Sequence, residues 1–122
     1  DALKNKEKGR TTLADELNTV PATLPALMYA QKMQKRAARK GAFAQTAEDA
    51  AAALKAAECG WEEAVPENAA ERAGVLLFAA ANAMRLAGVD AEEALTFASG
   101  RFRQELLQKT EDSDEQERPA TV

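Results

Sequence analysis

The chain has 122 residues, of which 46% are hydrophobic, 5% aromatic and 30% charged, and its formal net charge is −4. This length corresponds to one domain with a modest core, and a composition rich in alanine but poor in aromatic residues favours helices. The absence of histidine excludes Ser-His triads, histidine-ligated zinc and imidazole acid–base chemistry. The single cysteine, Cys59, allows no internal disulfide and predicts a cytoplasmic location.

The charge is unevenly distributed, because Glu111–Arg118 holds five acidic residues and one base. The remainder of the chain holds 15 acids and 15 bases. A neutral body with few aromatic residues binds nucleic acid poorly, so no nucleic-acid partner is expected. Nothing approaches the ~18 consecutive apolar residues of a membrane span, and no membrane partner is expected. The first residue, Asp1, is not methionine, which favours a piece of a longer protein.

The polar residues 1–20 are predicted to be a linker, an N-terminal arm or a frayed helix. The first long helix is expected to begin near Thr23 as N-cap, with Pro25 in its first turn, and to end at Gly41. The second begins with a capping box of Thr46 and Asp49.

A third helix is predicted from an Asn68–Glu71 cap to about Ala87. It is apolar on almost every side, which places it at the centre of a bundle. Gly88 is predicted to end it, and a fourth helix then presents an inner face, whose apolar residues are Leu95, Phe97, Ala98, Phe102 and Leu106. These helices define a domain over 21–110, followed by an acidic disordered tail over 111–122.

Three segments resemble the all-α nucleoside triphosphate pyrophosphohydrolases of the MazG type, in their C-terminal domain. They are VPATLPALMYAQKMQKRAARKG (residues 20–41), LLFAAANAMRLAGVDAEEAL (residues 76–95) and Arg101-Phe102-Arg103. The resemblance implies a bundle of four to five helices, completed by dimerisation. It also implies an activity that splits a nucleoside triphosphate into the monophosphate and pyrophosphate.

Active members of this family hold Mg²⁺ with carboxylates from two facing helices, and Mg²⁺ requires several hard oxygen ligands. In the family's register the ligand positions of this chain are Ala52, Ala53, Ala56, Arg72 and Val75. None of them is acidic. We therefore expect neither catalytic residues nor a metal site in this domain, and no cofactor.

Five residues are candidates for contact with a nucleotide: Lys32, Lys35, Arg36, Asn82 and Arg101. The resemblance places Asn82 at a family asparagine and Arg101 at a family lysine. Charged runs on helices are more often solvated surface, and a buried amide is often a structural hydrogen-bonding group. Glu105 replaces a family arginine and would repel phosphate.

Four hypotheses follow from these residues. The first is a catalytically degenerate domain that serves dimerisation or regulation and supports an active MazG domain in the same full-length chain. The second is Mg²⁺-dependent hydrolysis through displaced acids such as Glu58, Glu62 and Glu71. The third is nucleotide binding without turnover, and the fourth is a helical adaptor outside the family.

Overall fold

The computed structural model describes residues 11–43 and 46–117. Its elements are α1 (Leu13–Asn18), α2 (Ala26–Arg39), α3 (Ala47–Glu62), α4 (Ala69–Leu86) and α5 (Ala91–Glu117). Every regular element in the described residues is a helix, so the predicted all-α fold is confirmed. No single helix among them is long and apolar enough to cross a membrane, although α4 and α5 taken together meet that test by length and composition.

The N-terminal segment contains a short helix, which is one of the alternatives left open for residues 1–20. Thr12 and Asp15 form a capping box that starts α1, with each side chain accepting a hydrogen bond from the other residue's backbone N–H. The N-cap of α2 is Pro25 rather than the predicted Thr23. Gly41 ends α2 as predicted and adopts a φ of +72°, a left-handed conformation that glycine reaches without steric cost.

The caps of α3 and α4 show where local patterns succeed and where they fail. Thr46 accepts a 3.0 Å hydrogen bond from the N–H of Asp49, as predicted for the start of α3. The predicted side-chain cap at Asn68 is wrong, because its Oδ1 accepts the N–H of Val65 and stabilises the turn before α4. At the other end of α4, Gly88 adopts a φ of +78° and completes a Schellman motif, as its predicted role requires.

Within residues 11–92 the helices form a layer with α4 in the middle. α4 packs against α3 and against α2, and α1 packs against α2. In the described residues α2 and α3 do not contact one another, so α4 is the element that connects them. The predicted central position of α4 is therefore confirmed. It is nevertheless not enclosed, since four of its large apolar side chains stay exposed: Val75, Leu77, Phe78 and Met84.

The chain divides into two compact units between Glu92 and Glu93. In the described part, the second unit is the remainder of α5, and its side chains through Ser113 are all exposed. The side chains predicted to form an inner face of this helix are therefore exposed, among them Phe97 at 72% and Phe102 at 64%. α5 also continues through Glu117, where a disordered tail was predicted from Glu111, and residues 118–122 lie outside the described residues.

Candidate functional site

The facing helices α3 and α4 border a cavity of about 510 Å³. Its walls are mostly apolar and are formed by Phe43, Ala53, Glu71, Gly74, Val75, Phe78, Ala79 and Asn82. Ala53 and Val75 are two of the positions at which the resemblance expects metal-binding carboxylates. These two positions therefore line the same cavity, and both carry apolar side chains instead of carboxylates.

Arg72, a third expected ligand position, is directed at α3. Its Nη1 donates a 2.7 Å hydrogen bond to the carbonyl oxygen of Gly60. Gly60 lies in the last turn of α3, where carbonyl groups lack intrahelical partners and the helix dipole is negative. α3 has no basic residue of its own in that turn. Arg72 thus supplies the missing C-terminal cation and hydrogen-bond donor from the neighbouring helix.

The remaining expected ligand positions are Ala52 and Ala56, both exposed on α3. Ala52 borders a shallow hollow formed by α3 alone, in which Glu58 is the acidic residue. No group of three acidic or cysteine side chains that could hold a metal is found in the part of the chain that the structure describes. Since Mg²⁺ needs several converging oxygen ligands, these residues do not fit the family's metal.

Asn82 is a buried polar side chain at the cavity, with 5% of its surface exposed. Its Oδ1 accepts hydrogen bonds from Nε and Nη2 of Arg85, at 3.0 and 2.9 Å. Because a guanidinium group only donates, this contact also fixes which amide atom is the oxygen. The amide oxygen is committed to Arg85, and the amide nitrogen is the group through which Asn82 could contact a ligand.

The three basic candidates on α2 lie away from this cavity's lining. Lys32 and Lys35 are exposed on the helix surface. Arg36 is paired with Glu16 of α1 at 3.6 Å, and Arg39 approaches the same carboxylate at 3.8 Å. Arg36 therefore helps to hold α1 against α2. That contact is a structural use of a residue predicted to bind nucleotide.

Arg101, the fifth candidate, belongs to the second compact unit. Its Nε lies 3.3 Å from Oε1 of Glu105, one turn further along α5, and both side chains are exposed. Of the five predicted nucleotide contacts, Asn82 is the one that lines the cavity between α3 and α4. Lys32, Lys35 and Arg36 belong to the same compact unit as this cavity and do not line it.

Phe43 is a site residue that the sequence did not reveal. Its ring packs edge-on against Phe78, with the centroids 6.0 Å apart and the ring planes at 63°. The pair also borders a second apolar cavity, of about 420 Å³, which is lined by Leu17, Tyr29, Ala30, Met33, Gln34, Ala37, Phe43 and Phe78. One available signal was an isolated aromatic residue directly between the stop at Gly41 and the cap at Thr46.

The fold and this cleft define an all-α protein with an apolar cavity between two packed helices, at the position where the resemblance expects a metal site. No protein-family model matches the chain. Over 108 aligned residues it is 32% identical to the nucleoside triphosphate pyrophosphohydrolase of Escherichia coli strain K12, and the values are the same for the enzyme of Escherichia coli O157:H7. The alignment covers 84% of this chain, whereas the chain spans 41% of the length of each relative. This distant similarity supports a MazG-like relationship at the level of the family.

Proposed function

We propose that the chain is a cytoplasmic, MazG-like domain that has lost the metal-dependent chemistry of the family and serves association or regulation within a longer protein. The observation that carries this proposal is the contact between Arg72 and the carbonyl of Gly60, at 2.7 Å. A residue at an expected carboxylate position is a cation with a structural task. It therefore offers a metal no oxygen ligand and repels a divalent ion by its charge.

The alanines at the family's ligand positions on α3 support the same proposal. Ala52, Ala53 and Ala56 have no side-chain oxygen that could bind a metal. One missing carboxylate could be replaced by a neighbouring acid or by water. Losses on both facing helices remove the convergence of oxygens on which Mg²⁺ binding depends.

Exposed apolar surface supports the proposed association. Leu77 and Met84 on α4 are large apolar side chains left open, and Phe97 and Phe102 are open on α5. A small domain with an alanine-rich core gains little free energy from burial within one chain. Covering these residues with a second copy, or with an active MazG domain of the same full-length chain, would supply the missing burial.

A pyrophosphate-release assay tests the catalytic part of the proposal. The chain is incubated with each common nucleoside triphosphate and Mg²⁺ or Mn²⁺, with the Escherichia coli relative assayed in parallel as the positive control. We expect no pyrophosphate above background. Turnover that disappears in Glu71→Ala, Glu58→Ala or Glu62→Ala would instead establish hydrolysis through displaced acids and overturn the proposal.

A second candidate function is nucleotide binding without turnover. The cavity between α3 and α4 favours it, because Phe43 and Phe78 offer aromatic surface and Asn82 offers an amide nitrogen. The phosphates would then need the exposed lysines of α2 or a cation from a partner. Calorimetric titration with a nonhydrolysable triphosphate tests this function, with Asn82→Leu and the pair Lys32→Gln and Lys35→Gln as variants. Absence of heat at millimolar ligand would dismiss it.

A further inference from the structure

Gln31 of α2 makes three hydrogen bonds to the backbone where α4 ends and α5 begins. Its Nε2 donates to the carbonyl oxygens of Ala81, at 2.9 Å, and Val89, at 3.1 Å. Its Oε1 accepts the N–H of Ala91 at 3.0 Å. One side-chain amide therefore bonds to the last part of α4, to the connection after it and to the first residue of α5.

The bond to Ala91 has a particular value for α5. The first N–H groups of a helix have no intrahelical acceptor and need one from outside. Ala91 is 4% exposed, so bulk water is a poor substitute for the oxygen of Gln31. The acceptor comes from a residue 60 positions earlier in the chain, which ties the start of α5 to the position of α2.

Gln34, one turn further along α2, provides an internal comparison. It is buried, with 1% of its surface exposed, whereas Gln31 is partly exposed, and the Nε2 of Gln34 donates a 3.0 Å hydrogen bond to the carbonyl oxygen of Phe78 in α4. Its Oε1 is buried and has no hydrogen-bond partner in the described residues. Gln34 thus joins α2 to α4, whereas Gln31 joins α2 to α4 and also to the start of α5.

We propose that the three hydrogen bonds of Gln31 form a latch, which couples the position of α2 to the start of α5. Hydrogen bonds weaken steeply once donor and acceptor separate beyond about 3.5 Å, so a shift of α2 by roughly 1 Å opens the latch. On the same helix, Lys32 follows Gln31 directly and Lys35 lies about one turn further along, and both are exposed. An anion or an acidic partner that moved α2 through these lysines would thereby release the start of α5. The latch is independent of whether the domain hydrolyses nucleotides.

Amide hydrogen exchange measured by NMR on Gln31→Met and Gln34→Met tests the latch. Methionine keeps the length of the side chain and removes its amide in both variants. In Gln31→Met the protection of the Ala91 amide should fall about tenfold or more, because a buried donor loses its acceptor. In Gln34→Met that protection should stay within about twofold of the parent chain. Equal loss in both variants, or no loss in Gln31→Met, would overturn the proposal.

A distance measurement distinguishes a latch from a general contribution to stability. Cys59 is the chain's single cysteine and is exposed, so one spin label can be placed there and a second at Val89→Cys, an exposed position of the same compact unit just before α5. The distance distribution should broaden in Gln31→Met and keep its width in Gln34→Met. Should Gln31→Met fail to fold, Gln31→Glu replaces it, since its carboxylate faces two carbonyl oxygens and should open the same contact. Parental widths and protection in Gln31→Glu would also overturn the latch.

Discussion

The guanidinium group of Arg72 and the carbonyl oxygen of Gly60 are joined by a 2.7 Å hydrogen bond that links α4 to the last turn of α3. The contact stabilises the C-terminal end of α3 in two ways. It gives a hydrogen-bond donor to a carbonyl without an intrahelical partner, and it places a cation at the negative end of the helix dipole. It also explains how a cation can occupy a position that the family resemblance assigns to an acid. At this position the side chain holds α3 and α4 together.

Replacing Arg72 by methionine should lower the free energy of unfolding by about 1–3 kcal/mol, because the carbonyl of Gly60 loses a charged donor while the apolar stem is retained. Urea unfolding followed by circular dichroism measures the change. Arg103→Met on the exposed part of α5 is the matched control and should shift the free energy of unfolding by less than about 0.5 kcal/mol. Equal shifts in the two variants would show that the contact contributes no specific stability.

Glycine substitutions should change stability with opposite signs at two positions. Gly60→Ala should raise the free energy of unfolding by up to about 0.5 kcal/mol, because alanine has a higher helix propensity than glycine and Gly60 lies in the last turn of α3. Its Cβ would meet Nη1 of Arg72 at 3.7 Å, an ordinary contact distance. Gly88→Ala should lower the same free energy by about 1–2 kcal/mol, since Gly88 has a φ of +78°. Thermal unfolding of both variants checks the pair, and a common sign would contradict this account of α3 and α4.

Asn82 should tolerate an acid better than a hydrocarbon. Asn82→Asp retains an oxygen for the two donors of Arg85 and adds a charge that this guanidinium can pair. Asn82→Leu removes the acceptor and leaves the half-buried guanidinium without it, at a cost of about 1–3 kcal/mol. Chemical unfolding at neutral pH should therefore rank Asn82→Leu below Asn82→Asp. The reverse order would mean that the contact with Arg85 is not what keeps an amide at this position.

Association, if it covers α4, should depend on Leu77, a large apolar side chain that is 58% exposed. Leu77→Gln should weaken self-association in sedimentation equilibrium, because it removes apolar surface from the proposed contact. It should also abolish any dependence of the unfolding midpoint on protein concentration. Glu48→Gln, an exposed change at the start of α3, is the control and should leave both measurements unchanged. Unaltered association in Leu77→Gln would place the contact elsewhere.

Helix boundaries were predictable where a few neighbouring residues determine them. Thr46 and Gly88 act through bonds to residues within four positions, so their roles follow from local sequence. Asn68 has the right chemistry for a cap, but its oxygen accepts the N–H of Val65 on the preceding side. Local patterns indicate which side chains can accept a hydrogen bond from the backbone. They do not determine which of two nearby N–H groups donates that hydrogen bond.

The candidate site was less predictable, because its residues act across helices. The sequence shows that Arg72 cannot be a carboxylate ligand, but its partner Gly60 becomes visible only when α3 and α4 are packed. The same holds for Arg36, whose pairing with Glu16 depends on the position of α1. Phe97 and Phe102 show another limit of the sequence. A periodic apolar pattern predicts a buried face, but it does not indicate whether residues of the same chain or of a partner cover that face.

The separation of α2 from α3 in the described layer has a consequence for how the domain opens. Because α4 alone connects them, α3 can detach while α2 and α4 remain paired, and α2 can detach while α3 and α4 remain paired. The two partial openings expose different surfaces and need not share one free energy, so native-state hydrogen exchange should resolve them as separate cooperative units. Proteolysis would then begin in one outer helix at a time, with α4 the last to be cut.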